Sequence, residues 1–145
     1  DFPNYQIFSN SKSFVKKHFP NGKIEKKSVE CVRISEFFDK NNIDKIDYLS
    51  IDIEGMDYSV LINLDLKKIE IENISFEHLH LTFWQKIKIV YKFINNGYFF
   101  SGMGFDLRKS DWMFTKNYKN KKIQTFLLPF TPRRIWKKYQ FSTLK

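Results

Sequence analysis

The sequence has little of what marks secreted, membrane-spanning or disordered chains. It contains one cysteine, Cys31, so neither an intrachain disulfide nor a multi-cysteine zinc site can form within one chain. It has no run of about 18 apolar residues, and residues 1–20 lack the apolar core of a signal peptide. Only five Gly and four Pro occur, while 42% of residues are hydrophobic, which excludes collagen-like and low-complexity chains. We therefore expect one globular, cytoplasmic domain over residues 1–145.

Several motifs of common enzyme classes are also missing. The chain has no Gly-x-Gly-x-x-Gly fingerprint, no Walker-type phosphate loop and no Gly-x-Ser-x-Gly elbow. The short segment from Gly102 to Gly104 is too small to cradle a pyrophosphate. Nucleotide hydrolysis and serine-hydrolase chemistry therefore lack their minimum parts.

The positive charge is widely distributed. The formal net charge of +9 comes from lysines spread along the whole chain, without a nucleic-acid reader motif, so we expect no nucleic-acid partner. The densest basic segment lies in the aromatic tail at residues 120–145, which includes Arg133, Arg134 and Trp136. Such a cluster could make peripheral contact with an anionic membrane surface.

Hydrophobic periodicity predicts alternating strands and helices. The nearly continuous apolar run from Tyr48 to Ile53 is typical of a central parallel strand covered on both faces. Helix 83–95 is expected to bury a face formed by Ile87, Val90, Tyr91 and Ile94. The last two strands lack a crossover helix between them and should pair antiparallel. The predicted order is a β run at 29–34 leading into a short helix, strand 48–53, helix 56–66, strand 69–78, helix 83–95, and strands at 98–100 and 112–114. This order predicts an α/β fold with parallel strands, helical crossovers and an antiparallel hairpin at the edge.

Polar residues follow the two strongest strands. Ligands of open α/β sheets bind at the carboxyl ends of the strands, where Asp52 and Glu54 follow the first and Glu77, His78 and His80 follow the second. Strand alternation predicts that Asp52 and Glu54 point to the same side of the sheet. It likewise predicts that the two histidines share one side, with Glu77 on the other. Carboxylates beside imidazoles could deprotonate a hydroxyl, could bind a divalent metal, or could simply cap the next helix.

These residues resemble a known family. The segment IDKIDYLSIDIEG at residues 43–55, with the helix that follows it, is similar to the signature of FkbM-type methyltransferases. Residues 29–38 resemble the family's segment before that strand, residues 74–78 its next strand ending in Glu-His, and Gly97-Tyr98 the approach to its final hairpin. The similarity covers roughly residues 28–115.

The resemblance implies part of a Rossmann-like methyltransferase sheet that uses S-adenosylmethionine. The family's first strand and Gly-rich loop have no counterpart here, so we expect the carboxyl-terminal part of the domain, a fragment without the cofactor-binding half. The implied reaction is O-methylation of a hydroxyl on a small molecule or saccharide, such as a sugar, glycolipid or secondary metabolite. The residues implied are Asp52, Glu54, Glu77 and His78 for catalysis and Asp52 and Gly55 for the cofactor, with no metal.

Two other functions remain open from the sequence. One is a non-catalytic binding or scaffolding domain that uses the basic aromatic tail. The other is a metal-dependent hydrolase with Asp52, Glu54, His78 and His80 as its site.

Overall fold

The computed structural model describes residues 9–103, 111–116 and 128–130. Within these ranges the chain forms four helices, four strands and one 3-10 turn. In chain order they are α1 (Lys12–His18), α2 (Ile34–Lys40), β1 (Lys45–Ile51), α3 (Asp57–Asn63), β2 (Glu70–Glu77), α4 (Phe83–Asn95), β3 (Phe99–Met103), β4 (Asp111–Thr115) and the 3-10 turn (Leu128–Phe130).

The strands form one open sheet in the order β1-β2-β4-β3. β1 and β2 are parallel, with Leu49 opposite Ile74, and α3 is the crossover between them. β4 is antiparallel to both of its neighbours and stands between β2 and β3. The predicted α/β class, with helical crossovers and a closing antiparallel hairpin, is confirmed.

The core is rich in aromatic side chains. The ring of Phe93 from α4 packs edge-to-face on Phe114, with centroids 4.9 Å apart, and Phe76 stacks parallel to Phe114 at 6.0 Å. The fully buried Tyr98 donates a hydrogen bond from its hydroxyl to the carbonyl of Ile71, at 2.7 Å. α4 thereby packs against β2 and β4 and fixes the carboxyl end of β2.

Two strand predictions are wrong. β1 lies at an edge of the sheet formed by the described residues, and only Ile51 of its residues is buried, so it is not covered on both faces. Residues 29–33 carry no strand, since Val29 and Val32 are 76% and 60% exposed, and Ile34 already begins α2. β-branched residues favour a strand only where a partner strand and a buried face are available.

The buried face of α4 also differs from the prediction. The helix limits are as predicted, but the fully buried residues are Ile89, Val90 and Phe93, and Tyr91 is 62% exposed. Apolar residues occur on more than one face of this helix, so two registers of the helical period fit the sequence. Tertiary packing chooses between them.

A lysine ends α3. The ammonium of Lys92 on α4 donates to the carbonyls of Leu61, Ile62 and Leu64 at 3.0, 2.7 and 2.5 Å. The last carbonyls of a helix have no partner within the helix, and this side chain supplies one. The helix accordingly ends at Asn63, short of the predicted residue 66.

The predicted tail at residues 120–145 lies outside the described residues except for Leu128–Phe130. Among the helices that can be described, none has the length and apolar content needed to cross a membrane.

Candidate active site

A tight turn follows β1. The strand ends at Ile51, and the backbone then turns through Glu54 (φ 49°) and Gly55 (φ 98°), both in the left-handed region. The carboxylate of Asp57 accepts hydrogen bonds from the backbone N–H groups of Ile53 and Gly55, each at 3.3 Å. Burial raises the pKa of Asp57, while these backbone hydrogen bonds act in the opposite direction. The buried Asp57 therefore holds the turn, a role that the sequence did not indicate.

The two carboxylates that follow β1 differ in their exposure. The prediction that Asp52 and Glu54 share a side assumed that the strand continues through both residues, but β1 ends at Ile51. Asp52 is exposed, whereas Glu54 is half-buried.

A second turn folds His80 back onto the end of β2. The backbone N–H of Leu81 donates to the carbonyl of His78 at 3.2 Å, which closes a turn over residues 78–81. His80 Nε2 consequently lies 3.1 Å from Oε2 of Glu77, while the buried ring of His78 stacks on Trp112 with centroids 4.7 Å apart. The predicted grouping of the two histidines is therefore wrong, because β2 ends at Glu77 and strand alternation stops there.

The carboxyl ends of β1 and β2 form one polar cluster. We call it the rim, and it comprises Asp52, Glu54, Glu77 and His80. Ligand atoms of Glu54, Glu77 and His80 lie within 4.8 Å of one another. These three side chains could hold a divalent cation, since carboxylate and imidazole are common ligands. The set predicted for a metal-dependent hydrolase included His78, which the structure places in the aromatic core instead.

The rim is acidic in a basic protein. Burial raises the pKa of Glu77 to about 7, and the neighbouring carboxylates of Asp52, Glu54, Asp57 and Asp111 add to the shift. A carboxyl group with this pKa exchanges its proton near neutral pH, as a general acid or base requires.

The segment 9–18 packs against the rim. Ser9 Oγ donates to the carbonyl of Glu54 at 2.8 Å. The Phe14 ring lies next to Gly55, where an added Cβ would be 3.3 Å from Phe14 Cδ2. Phe14 and His18 also contact the His80 ring, with centroids 4.8 and 5.6 Å away. The sequence predicted a helical turn here but gave no indication that it lies against the rim.

Two of the concave surfaces in the described part of the chain lie beside the sheet. One, of about 350 Å³, lies at the amino ends of β1 and β2, where Asn42, Asp44 and Lys68 contribute to its wall, and so it is remote from the rim. The other, of about 380 Å³, lies beside β1 and is lined by Phe37, Leu49, Asp52 and other residues. Only the second includes a residue of the rim.

The chain matches a known protein family. A family model described as "Methyltransferase FkbM domain" matches residues 2–107, a range that contains β1 to β3 and the whole rim. Neither the curated proteins nor the solved structures gave a match.

Proposed function

The chain belongs to the FkbM methyltransferase family, and on this premise we propose that it serves in S-adenosylmethionine-dependent methylation of a hydroxyl, with the Glu77–His80 pair as proton acceptor. The observation that carries the proposal is the 3.1 Å contact between these two side chains at the carboxyl end of β2. Ligands of open α/β sheets bind at that end. The acceptor class that the family resemblance favours is a hydroxyl of a sugar, glycolipid or secondary metabolite.

The charge of the rim suits this cofactor. S-adenosylmethionine bears a positive sulfonium and a positive ammonium group. Burial raises the pKa of Glu77, and the carboxylates of Asp52 and Glu54 lie close enough to Glu77 to add to that rise, so the rim is a concentration of negative charge. When bound, the cofactor supplies an electrophilic methyl group. We assign the contact with it to Asp52, which also lines the groove beside β1, and to the backbone of Gly55.

We assign to His80 the proton that the methylated hydroxyl loses. A hydroxyl becomes a good nucleophile as it loses its proton, so a base must lie beside it. His80 fits this role because its side chain is 23% exposed and Glu77 orients its ring through Nε2, which leaves Nδ1 for the acceptor hydroxyl. Glu54 lies next to this pair, with ligand atoms of the three side chains within 4.8 Å of one another.

We propose a structural role for His78, in place of the catalytic role that the family resemblance implied. Its buried ring stacks on Trp112, so we assign it to the wall that supports β2 and not to proton transfer.

The test measures the rate at which the protein transfers the methyl group of labelled S-adenosylmethionine to a panel of saccharides and small molecules that carry hydroxyl groups. We expect His80→Gln and Glu77→Gln to lower the rate by about 10²- to 10⁴-fold, the usual contribution of a positioned base. Binding of S-adenosylhomocysteine, measured by calorimetry, should stay close to wild type in both variants and weaken in Asp52→Asn. The exposed Glu36 provides the control, and Glu36→Gln should change neither quantity.

Full activity in both His80→Gln and Glu77→Gln would refute the assignment of the proton. A protein that neither binds the cofactor nor transfers methyl groups would favour the alternative, a non-catalytic binding domain.

A further inference from the structure

The solvent-facing side of α4 carries large aromatic side chains. Trp84 and Tyr91 are 71% and 62% exposed, and Lys88, also exposed, stands between them. The three residues follow a spacing of i, i+4 and i+7, so they share one stripe, opposite the buried Ile89 and Phe93. We call this surface the α4 stripe.

The apolar area continues past the amino end of the helix. Phe83 is 60% exposed and lies beside Trp84, with ring centroids 5.7 Å apart, and Leu79 in the preceding turn is 55% exposed. Exposed apolar residues that stand alone are ordinary, whereas several large ones on and beside one helix are the kind of surface that takes part in binding.

The charge of the helix is of one sign. α4 contains three lysines and no acidic residue. Lys92 is engaged with the carbonyls at the end of α3, and Lys86 lies over the ring of Trp112 at 5.7 Å from its centroid. Lys88 therefore supplies the charge of the α4 stripe itself.

We propose that the α4 stripe binds the surface of an anionic lipid membrane. Trp and Tyr accumulate at the boundary between water and lipid, and lysine stems lie along apolar surface while their charges meet anionic headgroups. A helix of 13 residues with this pattern lies in the plane of the interface and does not cross it.

Two other occupants fit less well. The centre of a protein interface is depleted of lysine, whereas Lys88 stands in the middle of this stripe. A saccharide site is usually concave with several converging polar groups, whereas the stripe is the outward side of a helix.

Binding through α4 also sets the position of the rim. Thr82 caps α4 only five positions after Glu77, so a membrane under the α4 stripe would lie beside the end of β2. If the proposed methyl transfer holds, an acceptor carried by a lipid would reach His80 without leaving the membrane. The membrane contact itself rests on neither the cofactor nor the reaction.

The test is co-sedimentation of the 145-residue chain with vesicles of phosphatidylcholine alone or mixed with phosphatidylglycerol. We expect binding only to the anionic vesicles, with a blue shift of tryptophan fluorescence. Trp84→Ser with Tyr91→Ser should weaken the binding about tenfold or more, and Lys88→Glu about threefold or more, because apolar and electrostatic contributions add at the interface.

Matched controls separate α4 from other surfaces. Val29 and Val32 are exposed to a similar degree, so Val29→Ser with Val32→Ser should leave vesicle binding unchanged. Arg133→Glu with Arg134→Glu tests the basic tail, and this variant should retain the tryptophan blue shift. Equilibrium unfolding shows whether each variant is folded. Binding of S-adenosylhomocysteine is measured on the same variants, so that a failure of the proposed reaction can be distinguished from a failure of membrane binding.

Three results would overturn the proposal. They are failure of the wild-type chain to bind anionic vesicles, wild-type binding by the Trp84/Tyr91 variant, and loss of binding in the tail variant alone. A lower mass of the Trp84/Tyr91 variant in size-exclusion chromatography, with vesicle binding unchanged, would assign the stripe to a second copy of the chain.

Discussion

The imidazole of His80 and the carboxylate of Glu77 meet at 3.1 Å across a turn that separates them by two residues. The carboxylate is only 16% exposed, and burial beside other carboxylates raises its pKa to about 7 from an ordinary 4.5. Between these two pH values the folded protein binds more protons at Glu77 than the unfolded chain does. Its contribution to stability is therefore complete below about pH 4.5 and is lost as the pH rises through about 7.

Glu77→Gln removes this titration. We expect the variant to unfold with the same free energy as wild type near pH 4.5 and to be more stable by about 1–2 kcal/mol at pH 8, a value reduced for partial solvent screening. Urea unfolding at several pH values measures the difference. Glu36→Gln, on the exposed side of α2, should show a difference of less than about 0.5 kcal/mol at every pH. A Glu77→Gln curve parallel to wild type across this range would contradict the raised pKa.

Alanine substitutions at Gly55 and Gly97 distinguish the cost of backbone strain from the cost of steric crowding. Both have positive φ, but an added Cβ would contact Phe14 only at Gly55, since nothing lies within 4 Å of that position at Gly97. Gly97→Ala should therefore cost about 1 kcal/mol, and Gly55→Ala about 1 kcal/mol more. Thermal unfolding of both variants checks this order.

The same comparison in a Phe14→Ala background isolates the contact. There, Gly55→Ala should cost no more than Gly97→Ala does. An unchanged excess cost would show that Phe14 does not press on Gly55.

Asp57 and Asp65 each accept two backbone hydrogen bonds, but only Asp57 is buried. Asp57→Ala leaves two N–H groups of the turn after β1 without their acceptor and should cost about 2–3 kcal/mol. Asp65→Ala, where water can replace the carboxylate, should cost about 1 kcal/mol or less. Equal costs, measured by denaturant unfolding, would show that Asp57 does not hold the turn.

Lys92 and Lys88 lie one turn apart on α4, and only Lys92 donates to α3. Burial lowers the pKa of Lys92, so its ammonium depends on these carbonyls for compensation. Lys92→Met should reduce the unfolding free energy by about 1–3 kcal/mol, whereas Lys88→Met should change it by less than about 0.5 kcal/mol. Faster amide exchange confined to the end of α3 would locate the loss in Lys92→Met.

The sequence was sufficient to predict secondary structure and strand pairing where a single hydrophobic periodicity dominated a segment. The limits of α4 follow from the helical spacing of its apolar residues, and the structure adds a capping box between Thr82 and Gln85 at its start. The parallel pairing of β1 with β2 follows from the helical crossover between two apolar runs. Local patterns decide these features, and so local sequence reveals them.

The geometry of the rim depends on contacts between distant residues. Strand alternation placed His78 and His80 on one side, but the chain turns after Glu77. The ring of His78 then stacks on Trp112. The contact of Ser9 with Glu54 spans 45 positions, and no local pattern encodes it. Four of the five side chains named from the sequence therefore lie at the rim, whereas the burial of His78 and the contact of His80 with Glu77 could not be predicted.

The place of β4 between β2 and β3 has a consequence for synthesis on the ribosome. β2 obtains its second partner from Asp111–Thr115, the last of the described strands in chain order, although β1 and β2 can pair earlier. Until then the nascent chain exposes a hydrophobic strand edge, the kind of surface that invites aggregation. The four-stranded sheet can therefore be completed only after Thr115 has been synthesised, and a pause before that point would prolong the exposure of this edge.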